Sequence, residues 1–140
     1  MEAAEFTITT DCVAPASETW QRLWDLTRHS AAIPLTHVFS HRDQELGPGV
    51  RFIARTGIGP LHFDDRMVVR QWEEPSRAVI AKVGSYLRAL ITIELDDNNG
   101  VTRVCWKQRY RIVYMPACIS HMINPVIRHA YRRALDKILA

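Results

Sequence analysis

Polar and apolar residues alternate along "EFTITTDCV" (5–13), with Phe6 and Ile8 on one side and Thr7, Thr9 and Asp11 on the other, which predicts a half-buried strand. The period then lengthens. In "APASETWQRLWDLTRH" (14–29), Trp20, Leu23 and Trp24 share one helical face, and Pro15 suits a first helical turn. "SAAIPL" ends that helical region, "THVFSHR" predicts a short strand, and "GPG" at 47–49 a turn. From there to residue 114 the chain reads as successive strands: "VRFIART", "HFDDRMVVRQW", "RAVIAKV", "YLRALITIELD" and "VTRVCWKQRYRIV". The breaks between them, "GIGP", "EEPS", "GS" and "NNG", carry the residues that tight turns require.

Hairpin turns fix which side chains share a face. A two-residue loop at Asn99-Gly100 sets Ile93 opposite Trp106, Leu95 opposite Val104 and Asp96 opposite Arg103. A two-residue turn at Gly84-Ser85 carries the apolar face onto Ala78, Ile80 and Lys82, and parity through "EEPS" extends it to Met67 and Val69. The predicted inner face is Phe63, Met67, Val69, Ala78, Ile80, Ala89, Ile91, Ile93, Leu95, Val104, Trp106 and Ile112. Such a sheet needs a cover.

The cover is the long helix in "SHMINPVIRHAYRRAL" (120–135), where Met122, Ile123, Val126, Ile127, Ala130, Ala134 and Leu135 recur at helical spacing. Pro125 interrupts it. A proline inside a helix removes one backbone hydrogen bond and crowds the carbonyl four residues back, that of His121, at about 3 kcal/mol. Two expectations stand side by side: the helix bends at Pro125, or it begins there with Asn124 as N-cap and Pro125 in first position.

This order of elements resembles the START-like or Bet v 1-like (SRPBCC) superfamily, and within it the polyketide cyclase/dehydrase-type proteins. The similarity is carried by "VAPASETWQRLWDL", by "GPGVRF" before the third strand, and by "VVRQWEEPSRAV". It covers essentially the whole chain. The resemblance implies an α+β helix-grip fold: a curved seven-stranded antiparallel sheet wrapped around a long C-terminal helix, with short helices between strands 1 and 2 and a cavity under the helix. It further implies an apolar ligand, lipid-like or polyketide-like, and in a minority of members cyclisation or dehydration.

Composition narrows the class. The 140 residues, 47% apolar and 24% charged, fit one domain, residues 1–140. "MEAAEFTITT" carries acids where a signal peptide would carry Lys or Arg, and no apolar run approaches the roughly 20 residues of a membrane span, so the expectation is a cytoplasmic protein without stable membrane insertion. Cys12, Cys105 and Cys118 are scattered and odd in number, which suggests neither a disulfide framework nor a zinc site. His37 and His41 lack a full ligand set, and His121 and His129 stand eight apart on the helix; no metal or cofactor is expected.

Charge is divided unevenly. Residues 101–140 hold eight Lys or Arg against Asp136 alone, whereas residues 1–100 hold ten against fourteen Asp or Glu. Arg103, Lys107, Arg109 and Arg111 fall on the outer face of the last strand, where charges keep a sheet soluble. Trp106 and Tyr110 face inward and do not interleave with them, which counts against nucleic-acid stacking. An interaction module using this basic region for protein, RNA or anionic membrane is a lesser alternative.

The candidate chemistry lies in polar residues on the apolar face. Parity turns Asp65, Gln71, Lys82, Gln108 and Tyr110 inward, with Met67 opposite Lys82 and Asp65 within reach of an ion pair with it. Lys82, next to a turn, is expected at the rim of the sheet, and a β-bulge would reverse any of these assignments. The predicted ligand wall is Phe52, Met67, Ile91, Trp106, Met122, Ile123 and Val126, with Gln108 and Tyr110 orienting the ligand. Any catalysis would fall to Asp65, Lys82 or Tyr110 as a polyketide cyclase/dehydratase-type acid or base.

Overall fold

In a computed structural model, which describes residues 3–113 and 115–140, an open seven-stranded antiparallel sheet packs against three helices. The chain runs β1 (Ala4–Cys12), α1 (Ala16–Leu23), α2 (Leu26–Ala32), β2 (Thr36–Ser40), β3 (Arg51–Ile58), β4 (Leu61–Glu73), β5 (Arg77–Val83), β6 (Leu87–Asn98), β7 (Val101–Ile112) and α3 (Ala117–Leu139). The strands lie in the order β1-β7-β6-β5-β4-β3-β2. The first strand thus closes against the last and leaves β2 at the far edge.

The β6–β7 hairpin keeps the expected register, with Ile93 opposite Trp106, Leu95 opposite Val104 and Asp96 opposite Arg103. Its turn needs positive φ at both central residues, and Asn99 (55°) and Gly100 (84°) supply it. The β5–β6 connection departs from the two-residue turn: Ile80 lies opposite Ile91 and Lys82 opposite Ala89. Relative to the expected pairing this slips by two residues, so the register moves but the face does not. Ile80, Ile91, Ile93, Val104 and Trp106 accordingly form one buried surface.

A register shift between Val69 and Gln71 changes the parity of β4. Before it, Met67 faces Lys82 and Val69 faces Ile80; after it, Trp72 faces Ala78. Gln71, expected inward, is therefore turned out, where its amide accepts a hydrogen bond from Arg77. Trp72 takes the inward place and packs against Trp20 (ring centroids 4.8 Å apart) and Trp24 (5.3 Å). The helical region before β2 is likewise broken in two, because the Asp25 carboxylate accepts from Thr27 N–H and caps a new helix.

Helix α3 runs through Pro125 without restarting, so the alternative of a helix beginning at Asn124 does not hold. Asn124 caps nothing. Its amide instead ties the helix to the sheet, accepting from Tyr110 Oη at 2.7 Å and donating to the Glu5 carbonyl at 3.0 Å. From Ile127 onward one face of α3, through Tyr131, Leu135 and Leu139, closes the core against β1, α1 and α2.

Candidate ligand cavity

A cavity of about 270 Å³ lies between the sheet and α3. The sheet contributes Phe52 (β3), Met67 (β4), Ile80 (β5), Ile91 (β6) and Trp106 (β7), all buried and on the inner face. Ala130, Tyr131 and Ala134 come from α3, and His29, Ile33 and Thr36 come from α2 and the entry to β2. Phe63, expected within the sheet's apolar face, also reaches the cavity but stays partly exposed near the free end of the β3–β4 hairpin.

The polar side of the cavity is built by Asp65, Lys82 and Tyr131. Lys82 is only 6% exposed, which overturns its expected position at the rim: Asp65 from β4 and Tyr131 from α3 pack on its ammonium. Its ammonium donates to Asp65 Oδ2 and, at 2.7 Å, to Tyr131 Oη. Burial alone would push the Lys82 pKa down, but the Tyr131 oxygen and the Asp65 carboxylate outweigh it and hold the ammonium above its ordinary value. Lys82 therefore stays protonated at neutral pH. The other carboxylate oxygen, Asp65 Oδ1, is buried and has no hydrogen-bond partner among the described residues.

Two residues expected to orient a ligand serve the protein itself. Gln108, 1% exposed, accepts from Trp106 Nε1 at 3.1 Å. Tyr110 packs on Phe6 and spends its hydroxyl on Asn124. Burial raises its pKa, and the neighbouring Tyr131 oxygen raises it further. Neither residue lines the cavity.

Met122, Ile123 and Val126, expected in the wall, do not line it either. Met122 and Val126 are 77% and 71% exposed. The apolar stripe read from the sequence is wider than the face that touches the sheet, and in the N-terminal half of α3 part of it faces out.

Tyr131 was not singled out in the sequence. Its signal is the spacing Ile127-Tyr131-Leu135, one residue every helical turn. His29 was missed as well. It lines the cavity, its Nε2 lies 2.5 Å from the Leu23 carbonyl, and burial lowers its pKa against the opposing pull of that carbonyl and of Asp25.

A wider groove of about 760 Å³ lies on the other side of Trp24, between α1, α2 and β2. Its lining includes Asp25, Asp43, Gln44, Glu45 and Glu74, all exposed. Apolar walls with a few convergent polar groups make the smaller cavity the candidate site. Elsewhere, His37 stacks on Phe39, and no cluster of three or more His, Cys, Asp or Glu able to hold a metal forms among the described residues. The outer face of β7 is partly matched by β1, with Arg103 at 3.2 Å from Asp11 and Lys107 at 3.5 Å from Glu5. No helix is long and apolar enough to cross a membrane among the described residues.

No protein-family model matches the chain, and no curated protein sequence does either. Solved structures do. An aromatase/cyclase from Streptomyces sp. R1128 superposes with a TM-score of 0.75 at 10% identity, over 98% of this chain and 92% of that one. A protein of Rhizobium leguminosarum gives 0.75 at 14% identity, over 99% and 93%. The chain has the START-like, helix-grip fold. Truncated norcoclaurine synthase from Thalictrum flavum is similar to it too, with a TM-score of 0.69 at 10% identity over 99% of this chain and 94% of that one. At these identities the likeness extends to the START-like architecture and no further.

Proposed function

We propose that the protein binds an apolar or aromatic small molecule in the cavity between the sheet and α3. The observation that carries this reading is the cavity itself: apolar walls from six strands and α3, with Asp65, Lys82 and Tyr131 joined in one hydrogen-bonded cluster. Pockets with a few placed polar groups on apolar walls are the usual form of a small-molecule site. Its volume lies just below the roughly 300–1,000 Å³ range of such sites. A compact ring system suits it better than a long acyl chain.

The rival is an acid–base enzyme of the polyketide cyclase type, and the name of the Streptomyces aromatase/cyclase shows that this fold can host one. A shared fold does not transfer that activity. Two of the three candidate groups are poorly prepared for proton transfer: Lys82 is held protonated by its partners, and Tyr110 is engaged outside the cavity. Binding is the better supported reading. Native mass spectrometry of protein purified from its own host tests it. The expected result is an added mass that organic denaturation releases as an apolar compound; bare protein only, together with a collapsed interior in a crystal structure, would contradict it.

A further inference from the structure

We infer that the end of the sheet formed by the β3–β4 hairpin and the β5–β6 turn docks onto an anionic lipid surface. This goes beyond the cavity and does not depend on it. Arg88 on β6 stands directly opposite Arg111 on β7, and on its other side faces the half-exposed Val83 of β5. Like charges in opposed positions destabilise a sheet. Elsewhere on β7 a counter-charge offsets this: Arg103 meets Asp11, and Lys107 and Arg109 meet Glu5. Arg88 and Arg111 form no ion pair among the described residues, and neither does the exposed Arg66 of β4. Arg66 lines a cleft of about 310 Å³ between the two turns, with Val83, Ser85 and Tyr86. The carboxylate in that cleft, Asp64, is already held by Arg55 at 2.7 and 2.9 Å. Three arginines at one end of the molecule are thus left for an anion from outside.

The apolar side chains beside them decide what carries that anion. Ile58 and Leu61 flank Gly59-Pro60 at the tip of the β3–β4 hairpin and are 69% and 82% exposed. On the neighbouring turn Tyr86 is exposed as well, with its ring 6.4 Å from that of Phe63. At a membrane interface, apolar side chains enter the headgroup boundary while basic ones meet the anionic lipids. Aliphatic tips next to unpaired arginines match that division. Nucleic acid offers no apolar phase to Ile58 and Leu61, and a symmetric contact with a second copy of the chain would set these arginines against their own counterparts.

The test is flotation of the full chain with phosphatidylcholine vesicles, with and without about one-third phosphatidylserine, at about 0.1 M salt. Binding to the anionic vesicles is expected to exceed binding to the neutral ones by about tenfold or more, and to vanish at about 1 M salt. Arg88→Gln combined with Arg111→Gln should weaken it by about tenfold or more, because each basic side chain near such a surface contributes about fivefold. Leu61→Ser should weaken it by about fivefold or more and leave the salt dependence in place. Equal binding to both vesicles, binding to neither, or anionic binding unchanged in either variant overturns the inference. Preference for a single-stranded oligonucleotide over the anionic vesicles overturns it too, and assigns the arginines to nucleic acid. The wild-type comparison decides the matter even if a variant does not fold. Leu61, Arg88 and Arg111 do not line the cavity, so none of these outcomes bears on the ligand reading.

Discussion

Tyr110 on the last strand donates its hydroxyl to Asn124 on α3 at 2.7 Å, one residue before the proline inside that helix. The same amide donates to the Glu5 carbonyl on β1, so one side chain fastens the helix to two strands. Replacing Asn124 by Ala leaves the largely buried Tyr110 hydroxyl without its acceptor and should destabilise the protein by about 1–3 kcal/mol. Tyr110→Phe, which removes the hydroxyl along with the bond, should cost less. Urea unfolding of the two variants checks the order.

Pro125 is exposed, so its replacement by Ala gives up no packing and restores a donor toward the His121 carbonyl. Pro125→Ala should raise stability, by up to about 3 kcal/mol. Thermal unfolding of this variant reads the gain. A loss would mean that the interruption is needed by the native helix.

Lys82 and Asp65 form a coupled pair under α3. Lys82→Met alone leaves a mostly buried carboxylate uncompensated and should cost about 3–5 kcal/mol. The double variant Asp65→Asn with Lys82→Met should recover most of that loss, because both charges are gone and the methionine stem fills the same space. A double-mutant cycle by denaturant unfolding measures the coupling, and simple additivity would show that the pair does not act as a unit.

His29 makes stability depend on pH. Burial lowers its pKa below the ordinary 6.5 in the folded protein. Near and just below that value the unfolded chain thus binds more protons than the folded one, and stability rises with pH through this window. The contribution is present above the unfolded value and is lost as pH falls through it toward the folded one. Urea midpoints at pH 5 and pH 7 should therefore differ, and His29→Gln should reduce the difference.

The hairpin chemistry of Asn99-Gly100 made the β6–β7 register legible down to individual pairs, because a turn that demands positive φ at two residues leaves little choice of alignment. The slip at Gly84-Ser85 kept the same face, so the inner residues of β5 and β6 survived an error in register. The parity change between Val69 and Gln71 carried no such protection. Nothing in "VVRQW" distinguishes a bulged strand from a regular one, and Gln71 and Trp72 exchanged faces as a result.

Around the cavity, alternation turned Met67, Lys82, Ile91 and Trp106 to the inner face, where the structure has them, and made the Asp65–Lys82 pair visible in advance, although not the burial of Lys82. Helical periodicity was less informative. Seven apolar positions on α3 exceed what the sheet can cover, and only the packed structure tells Ala130 and Ala134 from Met122 and Val126. The role of Tyr131 is not legible in the sequence because its partners, Lys82, Phe6 and Trp106, are distant along the chain.

The most direct measurement fills the cavity. Ala134 lines it from α3, so Ala134→Phe should extend a ring into the space while leaving the other walls in place. Titration with the neutral fluorescent probe N-phenyl-1-naphthylamine, with 2-naphthol as competitor, should show saturable, displaceable binding to the wild type and its loss in this variant at an unchanged unfolding temperature. Equal binding by the two folded proteins would contradict a ligand site between the sheet and α3.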